Sequence, residues 1–100
     1  MDFIDISGAS GATYRFRIWP EGGGHLPVAG NFVLVREARY PVDVVVIGVT
    51  NDLSRARSAA GAKDGDRVYT RLNVARATRE AEHDDMIAQY PKAQAIVDKG

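Results

Sequence analysis

The sequence predicts an α+β domain in which a small antiparallel sheet, three core strands plus an N-terminal edge strand, packs with two main helices. Three observations predict it. Residues 31–57 read as two apolar strands joined by a polar turn and delivered straight into a helix. Residues 14–19 and 67–72 alternate apolar and polar side chains with the period of two expected of a strand with one buried face. Residues 74–90 carry helical spacing and run into Pro91, which cannot continue a helix.

Taken in order, residues 1–13 alternate weakly and then pass through Ser7, Gly8, Ala9, Ser10, Gly11 and Ala12, which suggests a flexible lead-in. In 14–19, Tyr14, Phe16 and Ile18 share one face and Arg15, Arg17 and Trp19 the other. Arginine on an exposed edge strand discourages pairing with other chains, so this strand is expected at the edge. Residues 20–29 are too long and too rich in breakers for a tight hairpin. Gly22, Gly23 and Gly24 could offer backbone N–H groups to an anion beside His25, but no helix opens after them, and a mobile loop is the plainer reading.

Residues 32–35 and 42–49 should form an antiparallel hairpin around the polar turn 36–41, with 42–49 the central strand because its VVVI run is apolar on both faces. Asn51 or Asp52 can cap the helix that starts at Leu53; Leu53, Ala56 and Ala60 share a face, and Gly61 can end it in the left-handed conformation. A turn at 62–66 leads to the strand 67–72. Asn73 is a plausible cap for the second helix, where Val74, Ala77, Ala81 and Ala88 make a small-residue seam suited to close packing. A second stripe carries Arg76, Arg79, His83, Met86, Ile87 and Tyr90, which places His83 between core and solvent. Residues 92–100 read as a loose tail, and residues 1–100 as a single domain.

One hundred residues with 45% hydrophobic and 26% charged side chains describe an ordinary globular domain. The chain has no cysteine, which excludes disulfides and thiolate zinc sites. No run approaches the roughly 18 apolar residues of a membrane span, and the acidic N-terminus lacks the basic start of a signal peptide. Cytoplasmic residence without membrane association is expected. The formal net charge is zero, yet residues 14–79 hold ten arginines and one lysine against six acids. Arginine suits phosphate because its planar fork donates two parallel hydrogen bonds, whereas ordinary ion pairing on a solvated surface explains the same composition. Asp84 and Asp85 are consecutive on a helix, diverge, and are expected to be solvated.

The hairpin, the helix after it and the last helix carry a resemblance. Gly30, Asn31 and Phe32, followed by Val46, Ile47 and Gly48 and then by Thr50 and Leu53, resemble the core of the GIY-YIG nuclease superfamily. Met86, Ile87 and Pro91 are similar to the frame of that family's closing helix. The match reaches from Gly30 to about Pro91. In the family the two motif tyrosines serve proton transfer and water activation, an arginine steadies phosphate charge and a glutamate holds a divalent metal. At those positions stand Phe32 and Val46 for the tyrosines, Ala56 for the arginine and His83 for the glutamate, with Gln94 for a further asparagine. The resemblance thus implies the family's shape without its cutting groups: a catalytically inactive domain that binds nucleic acid or protein, as a monomer or homodimer, with no cofactor.

The alternative is a divergent phosphodiesterase or endonuclease. Its candidate catalytic residues are His83, Arg57, the arginine nearer the Leu53 face than Arg55, and Tyr69. Arg76 and Arg79 would be its anion-binding candidates, and magnesium or manganese is implied only for such an active nuclease. His83 is a poor ligand for magnesium, which prefers oxygen donors. No metal-binding motif stands in the sequence.

Overall fold

The computed structural model describes residues 2–20, 22–36 and 42–99. Six strands form one mixed sheet: β1 (Phe3–Ser7), β2 (Thr13–Ile18), β3 (Gly30–Val35), β4 (Val44–Thr50), β5 (Arg67–Leu72) and β6 (Gln94–Asp98), in the order β1-β2-β5-β3-β4-β6. All neighbours are antiparallel except β4 and β6, which run parallel. A 3₁₀ turn (Leu53–Arg55) and a single-turn helix α1 (Ala56–Ala59) follow β4, and α2 (Arg76–Gln89) lies between β5 and β6. The α+β class stands, with a larger sheet than expected. Most of the polar turn after β3, residues 37–41, lies outside the described residues.

Alternation along the strands separates two cores. Val33, Val35, Ile47 and Tyr69, with Ile4, Ile6 and Phe16, face Met86 of α2. Phe32, Leu34, Val46 and Val68 face the opposite way, onto Leu53 and Ala56. The two helices therefore cover opposite faces of the sheet. All six residues of β3 are buried, because β3 has a strand on each side and a helix over each face. β4 is apolar on both faces as expected, but β3 and β5 occupy the middle of the sheet and β4 lies one place from an edge.

Further expectations are corrected. The lead-in contains an edge strand, β1, whose Ile4 and Ile6 are fully buried; this moves the arginine-bearing β2 into the sheet interior. The tail contains β6, whose Ile96 packs toward Leu53 and Ala56. Both strands are only five residues long, too short for periodicity alone to separate them from loops.

Asp52 caps the first helical segment as expected, its Oδ1 accepting from Ser54 N at 2.9 Å, and Gly61 follows the helix at φ +69°. Asn73 is not the α2 cap. Ala75 stands there with no side-chain bond, and Asn73 Nδ2 donates instead to Asn31 Oδ1 (3.0 Å) and Glu82 Oε1 (2.8 Å). The expected small-residue seam faces outward: Val74 is 74% exposed and Ala77, Ala81 and Ala88 are exposed. Met86 is buried and Ile87 and Tyr90 pack on the same core, because bulky side chains remove more apolar surface from water than alanines do.

Asp85, expected to be solvated, is half-exposed but engaged. It accepts from Ser10 N (2.9 Å), Ser10 Oγ (2.6 Å) and Tyr14 Oη (2.7 Å), tying the β1–β2 turn to α2. These bonds, those from Ser10 and Tyr14 side chains first, hold its carboxyl below the usual range. The same carboxylate pushes the Tyr14 phenol up.

Gly48 lies opposite Phe32 in the β3–β4 register, and a β-carbon there would strike the Phe32 ring. Gly48→Ala should therefore destabilise the domain by about 1–3 kcal/mol, read as a lower urea midpoint. Combined with Phe32→Leu it should cost less than the sum of the two single changes, because the smaller side chain vacates the contested volume. Asp85→Asn should let Tyr14 ionise at lower pH, measured as the alkaline phenolate absorbance that Tyr14→Phe removes; an unmoved titration would contradict the assigned bond.

Candidate functional site

α1 is a single turn, and on its face it covers β3, β4, β6 and the Val68 end of β5, leaving β1 and β2 bare. One cross-strand row shows the result. Phe3, Arg17, Thr70, Phe32 and Gly48 are successive partners across β1, β2, β5, β3 and β4, continued by Ile96 on β6. Phe32 and Gly48 are sealed under the 3₁₀ turn and α1. Phe3 and Arg17 at the other end are open, Phe3 being 48% exposed.

The open end forms a groove of about 820 Å³ between β1, β2 and β5 and the loop after β2. Its main side chains are Phe3, Arg15, Arg17, Trp19, His25 and Leu72, with Arg67 and Arg71 also lining it. The register explains why they converge: Phe3 pairs with Arg17 and Asp5 with Arg15, so both guanidinium groups rise on the same side as the Phe3 ring. Their carbons lie 5.7 Å (Arg15) and 5.9 Å (Arg17) from the ring centroid, within cation–π range. Arg15 Nε also pairs with Asp5 Oδ1 at 3.1 Å, whereas Arg17 meets no carboxylate among the described residues.

The loop wall is held by polar bonds. Trp19 Nε1 donates to Gly23 O at 3.0 Å. His25 Nε2 and Thr70 Oγ1 share a 2.8 Å bond, which satisfies a threonine that is only 5% exposed. The His25 and Trp19 rings lie 5.3 Å apart and tilted by 43°. Gly23 thus accepts from an indole through its carbonyl, and the glycine run serves as the bend that brings His25 over the sheet.

The residues singled out from the sequence do not form one cleft. Tyr69 and His83 lie on the α2 side, Tyr69 fully buried. Arg57 belongs to α1 on the other side, where Nη1 and Nη2 donate to Asp66 O (3.2 Å) and Lys63 O (3.0 Å) and close the turn before β5. Phe32, Val46 and Ala56 are together in the core under α1. Gly30 starts β3 with Leu53 and the Arg71 carbonyl against it, and Gln94 is exposed at the start of β6, opposite Val46.

Arg76 and Arg79 do come together, in a cleft of about 190 Å³ with Thr50, Asn51, Asp98 and Lys99. Their cationic groups are engaged: Arg76 pairs with Glu80 at 3.2 Å and Arg79 Nη1 donates to Val74 O at 2.7 Å. Asp98, on the same cleft, accepts from Thr50 Oγ1 (2.7 Å) and Arg55 Nε (3.0 Å). Among the described residues no three His, Asp or Glu side chains gather in a way that could hold a metal ion. No helix among them is long and apolar enough to cross a membrane.

His83 sits deeper than the core border expected of it. It is 5% exposed and its Nδ1 has no hydrogen-bond partner among the described residues. Burial pushes its pKa down, opposed by the nearby charges of Asp84 and Glu80. The neutral imidazole is the form that the fold accommodates.

Sequence reasoning overlooked Phe3 and assigned Arg15 and Arg17 to a sheet edge. The available signal was the short alternation Phe3, Ile4, Asp5, Ile6, which pairs with 13–17 only if Gly8 to Ala12 is a tight turn. That turn closes with Gly8 N donating to Ala12 O at 2.9 Å.

Because the folded pKa of His83 lies below its unfolded value, the unfolded chain takes up the proton first on acidification. Its contribution to stability is complete above the unfolded value and is lost as pH falls through about 6.5 toward the folded pKa. His83→Leu should therefore flatten the acid loss of stability, and the two thermal midpoints should diverge between about pH 7 and pH 5. Midpoints that run parallel through that interval would contradict the assignment. No family model, no curated protein and no solved structure matches the chain.

Proposed function

We propose that this domain is a non-catalytic binding module whose ligand surface is the open β1-β2-β5 half of the sheet. One observation carries the reading: two arginines and three aromatic or imidazole rings rise beside one groove exactly where the helix layer stops, while the motif positions under α1 are occupied by packed apolar side chains. Arginines of this kind favour a ligand that presents negative charge, and the adjoining rings favour one that also presents a flat or apolar surface.

The GIY-YIG resemblance enters as a frame for this reading. A hairpin, a helical turn, a third strand and a long helix follow one another in the order that the resemblance implies. A resembling domain with Phe32, Val46 and Ala56 at its chemical positions has no hydroxyl or guanidinium to offer, which favours binding over cleavage. The phosphodiesterase reading has less support: its three candidate groups, His83, Arg57 and Tyr69, are divided between opposite faces of the sheet, too dispersed for a proton relay through one reacting centre.

Immobilised heparin provides the test. The protein should be retained at low salt and released as salt rises, and Arg15→Glu with Arg17→Glu should abolish retention without shifting the thermal midpoint by more than a few degrees. Incubation with DNA or RNA and magnesium or manganese should leave the polymer intact. Cleavage that disappears on substituting His83 or Arg57 would overturn the non-catalytic reading, and retention unaffected by the charge reversals would overturn the assigned surface.

A further inference from the structure

The groove has features that narrow its ligand class. It combines cations with ring surface on a strand platform: Phe3 has the Arg15 and Arg17 guanidinium carbons 5.7 and 5.9 Å from its ring centroid, and Trp19 and His25 form a ring pair in the loop wall. A polyanion recognised by charge alone needs no rings, and an apolar peptide needs no arginines. Unstacked nucleobases joined by phosphates supply both, since every base has a π-face for an aromatic ring or guanidinium plane and each linkage carries one negative charge.

Resting on the binding reading above, we infer that the β1-β2-β5 groove binds single-stranded nucleic acid, with bases against the Phe3 and Trp19–His25 rings and phosphates toward Arg15 and Arg17. Charge complementarity supports this occupant. Arg17 meets no carboxylate among the described residues, and Asp2 is the only acid among the described groove-lining residues. A duplex is disfavoured because its bases present their faces to each other, leaving the rings of the groove with nothing to stack on.

Trp19 is the only tryptophan in the chain, so its emission reports directly on the groove. Titration with single-stranded RNA or DNA oligonucleotides of mixed sequence should quench that emission, with affinity that falls as salt rises. Arg17→Ala and Phe3→Ala should each weaken binding by about fivefold or more, in keeping with the measured worth of one stacked base. Arg76→Ala, at the far cleft, should leave it unchanged. Circular dichroism of each variant separates lost binding from lost fold.

The outcomes are distinct. Absence of quenching and of salt-dependent oligonucleotide binding, or equal affinity for the matching duplex, overturns the inference. If an acidic peptide such as polyglutamate binds with Arg17 dependence while oligonucleotides do not, the inference falls and the binding-module reading survives. If neither polyanion binds at low salt, both fall.

Discussion

The shortness of the helical connection after β4 governs the rest of the molecule. A six-stranded sheet presents two faces, and burying both along their full width needs a helix layer on each. α2, fourteen residues long, covers one face. The 3₁₀ turn and the single turn of α1 cover only part of the other, so the row from Phe3 to Ile96 begins as surface and ends as core. Apolar and polar residues follow that divide. β3 and the end of β4 are buried throughout, whereas β1 and β2 alternate inward isoleucine and phenylalanine with outward arginine and aspartate.

A sheet half with one bare face depends on α2 for its position, and two polar knots supply that. Asn31, fully buried, donates to Arg79 O at 2.9 Å and accepts from Asn73, linking the central strand to the start of α2. Glu82 receives both Asn73 and Arg71, and Arg71 also donates to Arg15 O, which connects α2 to β5 and β2. Asp85 does the same for the β1–β2 turn. The buried Asn31 amide is satisfied on both its nitrogen and its oxygen, as low-dielectric surroundings require. The outer strands thereby stay in register beneath the groove, with Phe3 and Arg17 paired side by side.

Element types were legible where long periodic runs made one answer dominant. The β3–β4 hairpin, the Asp52 cap, the end at Gly61, the β5 alternation and the burial of Met86 follow from local pattern. The sheet's extent was not legible, because β1 and β6 are five-residue strands that gain burial only by docking on neighbours distant in sequence. The error propagated to the site. With β1 absent, Arg15 and Arg17 look like edge protection; with β1 present, they flank a ring. The same dependence on partners explains Asp85, whose neighbours Ser10 and Tyr14 are more than seventy residues away in sequence, and His83, whose burial depends on how deeply α2 seats against the sheet.

By itself the sequence determines an α+β domain: its hairpin, the burial of the bulky residues at the end of α2, its even charge and its lack of thiol chemistry. These depend on side-chain period, turn chemistry and composition, all of which act over a few residues. Only the tertiary structure decides that Arg57 and His83 belong to opposite faces, that the glycine run lends a carbonyl to Trp19, and that Phe3, Arg17 and Trp19 share a groove. Those outcomes depend on which strands become neighbours, and pairing is settled by the joint burial of all six strands and both helices, a sum that no local window contains.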